Sequence, residues 1–132
     1  MQYLLMIYSN DVEYAARPQD EVAATMAEYG TFTQGIIQNG NYKGGEPLRP
    51  AAMATTVRVR DGKTLTTDGP FAETREQLGG YYLIDAKDLD EAIGIAARIP
   101  GARRGTIEIR PVIELAGLPA ESGAARLAAS DK

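Results

Sequence analysis

Residues 54–72 read ATTVRVRDGKTLTTDGPFA, and two β-rich runs in this stretch are joined by Asp61-Gly62. In the first run Thr, Val and Val alternate with Thr, Arg and Arg, which is typical of a strand with two different faces. An Asp-Gly pair suits the two positive-φ positions of a type I′ turn. The stretch therefore predicts a β-hairpin whose arms are residues 54–60 and 63–67.

The hairpin is followed by the turn Asp68-Gly69-Pro70-Phe71. Pro70 fixes its own φ and restricts Gly69, which can reverse the chain because it lacks a Cβ atom. Asp68 is expected to accept backbone hydrogen bonds in an Asx-turn, and Phe71 to anchor the loop in apolar surroundings. The remaining chain to Gly80 is predicted to be a loop with a short helical turn at residues 73–77.

The chain before the hairpin predicts a strand, a helix and a poorer strand. Residues 2–8 are apolar on both faces, which favours a strand in the middle of a sheet. A helix is expected to begin at Pro18 and to end at Asn39-Gly40, with a buried stripe of Val22, Met26, Tyr29, Thr33, Ile36 and Ile37. Residues 41–50 contain Gly44-Gly45 and two prolines, so they predict a loop or a poor edge strand.

The chain after the loop predicts a strand, a helix and a last strand. Residues 81–84 form the first strand, and Asp88 with Glu91 forms a capping box that opens the helix. The helix is expected to end at Pro100-Gly101, and its buried stripe to comprise Leu89, Ala92, Ile93, Ala96 and Ala97. Residues 106–113 complete the sheet, with Ile107, Ile109, Val112 and Ile113 facing inward.

This order of elements predicts the fold class. Two βαβ-like halves with hairpins between them match an α+β, ferredoxin-like plait over residues 1–115, with an antiparallel sheet and helices on one face. The other face leaves apolar positions of the first strand uncovered, and a second copy of the chain is the simplest cover. A homodimer is therefore expected. Residues 116–132, rich in Ala, Gly and Ser, are expected to form a frayed or loosely helical tail.

The composition excludes several chemistries. The 132 residues include no cysteine and no histidine, which removes thiol nucleophiles, an imidazole base and the usual zinc ligands. No segment has the spacing of a carboxylate metal loop, so neither a metal nor another cofactor is expected. The net charge of −4 argues against nucleic acid as a partner. No apolar run approaches the ~20 residues of a membrane helix, and no signal peptide is recognisable, so we expect a cytoplasmic protein.

Candidate functional residues cluster around the turn at 68–71. Asp68 is the candidate general acid or base at a cavity mouth, and the carboxylates Glu73 and Glu76 follow it closely. The predicted ligand-binding residues are Arg58, Gly69, Pro70, Phe71, Glu73, Tyr81 and Tyr82. Gly79-Gly80 would let a ligand approach the backbone. The structural alternatives are that the turn only ends a strand and pins a loop, and that the glycine pair only kinks a strand.

Four stretches resemble a known family: TTVRVR at 55–60, DGPFAET at 68–74, EQLGGYY at 76–82 and EIRPV at 108–112. Together they resemble the DGPF branch of the YCII-related proteins, and the likeness runs from Met1 to about Leu115. The resemblance implies a ferredoxin-like fold that pairs into a dimeric α/β barrel, with a cleft near the dimer interface.

The resemblance implies two classes of function. A His–Asp pair is the proposed active site of the YCII branch, and a relative eliminates chloride from a chlorinated hydroxyquinol. This chain has no histidine, so an enzyme here would use a carboxylate base such as Asp68 for proton abstraction or elimination on a small molecule. The DGPF branch is also similar to proteins encoded beside, or fused to, extracytoplasmic-function sigma factors. That implies a non-enzymatic regulatory module, with a sigma factor as its partner.

Overall fold

The computed structural model describes residues 1–114, so the predicted tail at 116–132 lies outside the described residues. The elements in chain order are β1 (Gln2–Ser9), α1 (Asp11–Ala15), α2 (Gln19–Gln38), β2 (Tyr42–Pro47), β3 (Thr55–Arg60), β4 (Lys63–Asp68), β5 (Gln77–Asp85), α3 (Leu89–Arg98) and β6 (Thr106–Pro111). Short 3₁₀ turns at Ala51–Met53 and Pro100–Arg103 precede β3 and β6.

The larger sheet has the strand order β2-β5-β1-β6, and every neighbouring pair is antiparallel. The units β1–α2–β2 and β5–α3–β6 supply its strands, which is the arrangement of a ferredoxin-like plait. The predicted α+β fold class is therefore confirmed. β2 lies at one edge, where its glycines and its terminal proline cost the fewest ladder hydrogen bonds.

The core lies between the helices and one face of this sheet. Tyr3 and Leu5 of β1 face the helices together with their neighbours on β5, because the register pairs Leu5 with Tyr82 and Tyr3 with Ile84. Their side chains are buried against residues of both long helices, namely Phe32, Ile36, Ala92, Ile95 and Ala96. Burying these apolar groups holds α2 and α3 on the same side of the sheet.

The opposite face of the sheet, called the open face below, carries no helix in the described part of the chain. Its β1 and β5 positions alternate with the core positions and are half-buried, except that Leu78 is exposed. The open face consists of Leu4, Met6, Tyr8, Leu78, Tyr81, Leu83, Glu46, Thr106, Glu108 and Arg110.

Strands β3 and β4 form a separate two-stranded sheet, called the ribbon (residues 55–68) below. Asp61 and Gly62 have φ values of 51° and 73°, as a type I′ turn requires. The predicted hairpin is therefore confirmed, and the structure adds that it does not join the larger sheet.

The stripe predicted for α2 is partly wrong. Met26 and Ile37 are 59% and 46% exposed, whereas Phe32, which was left out of the stripe, is buried with Ile36. A 20-residue helix touches the sheet along only part of its length, so its N-terminal half, including Met26, does not face the core.

The buried stripe of α3 also lies on a different side of the helix axis from the predicted stripe. Ala92 and Ala96 are buried as expected, but the third buried position is Ile95, while Leu89 and Ile93 are about half exposed. The predicted N-cap is confirmed, since Asp88 Oδ1 accepts a hydrogen bond from the Glu91 N–H at 2.9 Å. The reciprocal bond of the box is shifted by one residue, because Glu91 Oε1 accepts from the Lys87 N–H.

The loop between the ribbon and β5 differs from its prediction. Residues 73–77 form no helical turn, and β5 begins at Gln77 rather than at Tyr81. Phe71 is 80% exposed, so it does not anchor the loop in apolar surroundings within the described residues. At the end of β6 the predicted inward Ile113 is 79% exposed. The short helix α1 was not predicted.

Gly79 and Gly80 lie within β5, beside an irregularity of the ladder. Ile7 pairs with Gly80 and Tyr8 pairs with Leu78, so Gly79 is an extra residue on β5. Such a bulge bends a strand and increases its twist. The structure therefore agrees with the interpretation that this glycine pair kinks the strand.

In the part of the chain that the structure describes, no helix is both long enough and apolar enough to cross a membrane.

Candidate functional site

The open face has an apolar centre between charged edges. One row across the sheet runs from Glu46 through Tyr81 and Met6 to Glu108, because these residues are partners in successive strand pairs. The next row places Leu83 and Leu4 beside each other in the same way, and it ends at Arg110 on β6. Apolar and aromatic side chains thus lie in the middle. Glu46 lies at the β2 edge, and at the β6 edge Glu108 forms an ion pair with Arg110 at 3.6 Å.

A cavity of about 490 Å³ opens at one end of this face. Its lining includes Tyr8 and two carboxylates, Glu76 and Glu108, together with Thr106 and Ile107. Tyr8 and Thr106 are partners in the β1–β6 ladder, so both belong to the open face. The cavity therefore combines an aromatic wall with hydrogen-bond acceptors, as small-molecule sites commonly do.

Glu76 is the carboxylate held most firmly in this cavity. Its Oε1 accepts a hydrogen bond from Thr106 Oγ1 at 2.8 Å, which joins the start of β5 to the start of β6. Its backbone carbonyl accepts a further hydrogen bond from Thr74 Oγ1 at 2.5 Å. The side chain is half-buried, so the carboxylate has a fixed direction while it still reaches solvent.

The neighbouring Gln77 fixes the same corner from the other side. Its Nε2 donates to the Thr74 carbonyl at 2.6 Å, and its Oε1 accepts from the Asp11 N–H at 2.9 Å. Asp11 Oδ2 in turn accepts from the Ala51 N–H at 2.9 Å. The residues between the ribbon and β5 are thus tied to the start of α1 and, through Asp11, to the loop before the ribbon.

The two predicted tyrosines lie on opposite sides of the sheet. Tyr81 is half-buried on the open face, where a ligand could contact it. Tyr82 is 9% exposed in the core, and its hydroxyl is 2.7 Å from Thr33 Oγ1. Burial raises the pKa of the Tyr82 phenol above its ordinary value, and the hydrogen bond with Thr33 partly opposes this rise in pKa. Alternation along a strand separates these adjacent residues.

The remaining predicted residues belong to the ribbon and to the exposed loop after it. Arg58 is exposed on β3, and Asp68 is exposed at the end of β4. Gly69 has a φ of 101° and closes the base of the ribbon, since its N–H donates to the Ala54 carbonyl at 2.7 Å and its carbonyl accepts from Thr56 Oγ1 at 2.8 Å. Pro70, Phe71 and Glu73 are exposed.

Within residues 1–114, then, the structure does not gather the predicted residues into one pocket. Among the hydrogen bonds of the described residues, none involves the Asp68 carboxylate, so the Asx-turn expected there does not form. Tyr81 is the predicted residue that shares the open face with the cavity. Whether any of these residues binds a ligand stays a prediction.

The sequence reasoning missed three of the residues that line the cavity, Tyr8, Thr106 and Glu108, and treated Glu76 only as a neighbour of Asp68. A signal for Glu108 was present, because it lies between Ile107 and Ile109, which were both predicted to face inward. No such signal marked Tyr8, because the first strand was predicted to be apolar on both faces. The contact between Glu76 and Thr106 joins residues 30 positions apart, and no local sequence pattern predicts it.

A second cavity, of about 470 Å³, lies on the helix side near the ends of α2 and α3, where Asn39, Asn41, Glu91 and Arg98 contribute to its lining. No group of three or more Asp and Glu side chains in residues 1–114 is arranged to hold a metal ion.

Comparison with known proteins identifies similar sequences. Residues 1–116 match the family model described as the YCII-related domain. An uncharacterised protein of Rhizobium meliloti (strain 1021) is 34% identical over 114 residues, which cover 85% of this chain and 92% of that protein.

A comparison of structures finds 5-chloro-2-hydroxyhydroquinone dehydrochlorinase from Burkholderia phenoliruptrix AC1100, solved in complex with 2,5-dihydroxybenzoquinone. The two chains are 12% identical, with a TM-score of 0.48, and the match covers 86% of this chain and 95% of that one.

Proposed function

The chain belongs to the YCII-related family, and we propose that it binds a small molecule on the open face of its sheet and acts on it by carboxylate acid–base chemistry. The observation that carries this proposal is the Glu76 carboxylate, which Thr106 holds at the mouth of a cavity walled by Tyr8. The turn at 68–71 supports placement of the chain in the DGPF branch of the family.

The chemistry of the cavity favours a particular class of ligand. Tyr8 offers a flat aromatic surface in the cavity, and Glu76 and Glu108 offer hydrogen-bond acceptors there. Met6 and Tyr81 lie further along the open face. Ionised carboxylates accept hydrogen bonds but do not donate them, and they repel anions. The favoured ligand is therefore an uncharged ring that carries hydroxyl groups.

Glu76 is the proposed base. A bound ring would cover the carboxylate and remove water from it, which strengthens a carboxylate as a proton acceptor. A ring hydroxyl or an acidic C–H within hydrogen-bond reach of Glu76 would then give up its proton to the carboxylate. Asp68, the base favoured by the sequence, is the second candidate, and it lies at the base of the ribbon.

Binding of hydroxyquinol, measured by isothermal titration calorimetry, tests this proposal. We expect Glu76→Gln to weaken binding by about tenfold or more, because the loss of a charge-assisted hydrogen bond costs roughly 1.5–3 kcal/mol. Glu21→Gln is the matched control, since Glu21 lies on α2 on the other side of the sheet. Asp68→Asn tests the second candidate in the same titration.

Benzoate is the counter-probe, because a carboxylate ligand should be repelled by Glu76, whereas Glu108 is paired with Arg110. Equal affinity for benzoate and hydroxyquinol would contradict the ligand class. Unchanged hydroxyquinol binding by Glu76→Gln would contradict the site, and a loss confined to Asp68→Asn would move the proposed base to the ribbon.

A homodimer completes the proposed function. The open face exposes apolar area from Leu4, Met6 and Leu83 that the described chain does not cover, and closed two-fold pairing is the commonest way to cover such area. Light scattering should give the mass of two chains. The regulatory alternative, with a sigma factor as partner, rests on family resemblance alone and stays a prediction.

A further inference from the structure

The second cavity, on the helix side of the sheet, is called the helix cavity below. Its volume of about 470 Å³ lies within the range of small-molecule sites in proteins, and its lining comprises Asn39, Asn41, Glu91, Gly94, Ile95 and Arg98. The first two residues follow α2, and the other four belong to α3. Because α2 and α3 lie on the other side of the sheet from the open face, the helix cavity is separate from the site of the proposed function.

Gly94 is a residue of the helix cavity that packing does not explain. It lies in the interior of α3, where glycine is a much poorer helix former than alanine. A Cβ atom on Gly94 would meet nothing within 4 Å, and its φ is not positive. Neither close packing within the described residues nor the backbone conformation therefore requires a glycine. The missing side chain instead leaves the floor of the cavity open.

Two side chains of opposite charge flank Gly94. Glu91 lies three residues before it and Arg98 four residues after it, so all three share one face of α3. Glu91 and Arg98 are two helical turns apart, about 10.5 Å along the axis, and neither is part of an ion pair within residues 1–114. The dipole of α3 favours these charges at its two ends in any case. The open glycine between them is the feature that points to a ligand.

Both charged groups keep atoms that a ligand can bind. Arg98 Nε donates to the Gly94 carbonyl at 3.4 Å, and the two terminal nitrogens of its guanidinium have no partner within residues 1–114. Glu91 Oε1 accepts from the Lys87 N–H at 2.9 Å, and its Oε2 has no partner among the same residues. One end of the cavity thus offers cationic donors, and the other end offers an anionic acceptor.

The wall at the end of α2 adds acceptors to the side of Glu91. Asn41 is held in place because its Nδ2 donates to the Asp85 carbonyl at 2.9 Å and its carbonyl accepts from the Asp85 N–H at 2.7 Å. This leaves Asn41 Oδ1 as an acceptor. α2 has no basic residue in its last turn, so no side chain there offsets the negative end of its dipole. These groups favour a positive charge beside them.

We propose that the helix cavity binds a small flexible zwitterion, with its ammonium group between Glu91 and the end of α2 and its carboxylate on the Arg98 guanidinium. Arginine binds a carboxylate through two parallel N–H donors. The methylene groups of the ligand lie over Gly94 and Ile95, which is 2% exposed. Because the two protein charges are two turns apart, the ligand class is an ω-amino acid rather than an α-amino acid, whose charged groups share one carbon.

The first test compares ligands by isothermal titration calorimetry on the full chain. The probe is ε-aminocaproate, and the comparison ligands are caproate, hexylamine and glycine. Caproate lacks the ammonium group, hexylamine lacks the carboxylate, and glycine has both charges but no chain between them. We expect saturable binding of ε-aminocaproate with an affinity at least about tenfold higher than that of any comparison ligand.

The second test removes one protein charge at a time. We expect Arg98→Gln and Glu91→Gln each to weaken ε-aminocaproate binding by about tenfold or more, because each variant loses a charge-assisted hydrogen bond. Glutamine at position 91 keeps an oxygen that can accept from the Lys87 N–H. Arg60→Gln is the matched control, since Arg60 is exposed on β3 and does not line the cavity.

The third test separates ligand binding from helix stability. Gly94→Gln and Gly30→Gln both replace a glycine inside a long helix, and a Cβ atom at either position meets nothing within 4 Å. Both variants should therefore raise the melting temperature, because glutamine is a better helix former than glycine. Only Gly94→Gln should weaken ε-aminocaproate binding, by about tenfold or more, because Gly30 does not line the cavity.

Each outcome supports or overturns the zwitterion site. The absence of saturable ε-aminocaproate binding at millimolar concentrations would overturn it. Equal affinity for caproate would reduce the cavity to an anion site, and unchanged binding by Gly94→Gln would show that the ligand does not lie over α3. Either result contradicts the proposal. Hydroxyquinol binding is measured separately and depends on Glu76 on the other face of the sheet, so the two sites are tested independently.

Discussion

At the scale of single residues, Tyr81 and Tyr82 show how a shift of one residue along a strand changes the role of a side chain. The two residues are identical and adjacent, but Tyr81 belongs to the open face whereas Tyr82 packs against Phe32 with ring centroids 5.3 Å apart. Successive residues of a strand point to opposite faces. The sequence predicted both as ligand-binding residues, and only the position of the helices assigns Tyr82 to the core.

Replacing Tyr82 with Phe should destabilise the protein by about 0.5–1.5 kcal/mol, because the hydrogen bond with Thr33 is lost and Thr33 is left without that partner. Chemical denaturation monitored by circular dichroism measures this change. Tyr81→Phe is the matched control and should change the free energy of unfolding less. Equal effects of the two substitutions would contradict the assignment of Tyr82 to the core.

The same residue predicts a pH dependence. Burial holds the pKa of Tyr82 above 10.0, its ordinary value, so the folded state binds this proton more tightly than the unfolded state does. The resulting stabilisation is fully present below pH 10.0 and is lost as the pH rises through the folded-state pKa. Tyr82→Phe should therefore flatten part of the alkaline decline in the free energy of unfolding. A part should remain, because burial also raises the pKa of Tyr29.

At the scale of one element, strand β2 shows that two adjacent glycines can have different structural roles. A Cβ atom on Gly45 would lie 2.8 Å from the Tyr81 carbonyl oxygen and 2.9 Å from Tyr82 Cδ1, whereas a Cβ atom on Gly44 would meet nothing within 4 Å. Gly45 thus lets the edge strand approach β5 closely. Composition alone predicted only that residues 41–50 would form a loop or a poor edge strand.

Gly45→Ala should destabilise the protein by about 1–3 kcal/mol, because the added methyl group collides with backbone atoms that cannot move freely. Gly44→Ala is the control, and it should be neutral or stabilising by roughly 0.4–1 kcal/mol, since alanine restricts the unfolded chain. Thermal denaturation of the two variants measures both effects. A larger loss for Gly44→Ala than for Gly45→Ala would contradict the register of β2 on β5.

At the scale of the molecule, residues 1–114 divide into a packed plait and a ribbon that contributes no residue to the core of the plait. The base of the ribbon is closed by the hydrogen bond from the Gly69 N–H to the Ala54 carbonyl. Removing residues 55–68 and joining Ala54 to Gly69 through Asn-Gly would leave a two-residue hairpin turn at this position. The core residues on β1, β5 and the long helices would not be touched.

We expect this shortened chain to keep the helix signal in circular dichroism and a cooperative unfolding transition, because the ribbon contributes no residue to the core. A shortened chain that fails to unfold cooperatively would show that the ribbon supports the plait.

Local patterns predicted the elements with a strong periodicity or a strong boundary. The Asp61-Gly62 turn, the cap at Asp88 and the ends of α2 at Pro18 and Asn39 were all recognisable, because each depends on the backbone preferences of neighbouring residues. The face of α3 that is buried could not be predicted from the sequence, because Leu89 and Ile93 are as apolar as Ile95. Which of them is buried depends on how the helix lies on the sheet.

The sequence by itself determined the α+β class, the order of the strands and the two longer helices, the hairpin and the exclusion of thiol and imidazole chemistry, because these depend on composition and on contacts between near neighbours. Only the tertiary structure decided that the hairpin stands apart from the sheet, that Tyr82 is buried and that Glu76 meets Thr106 at an open cavity. Those features depend on pairings between distant residues, and the free energy of such pairings is set by the packing of the whole chain.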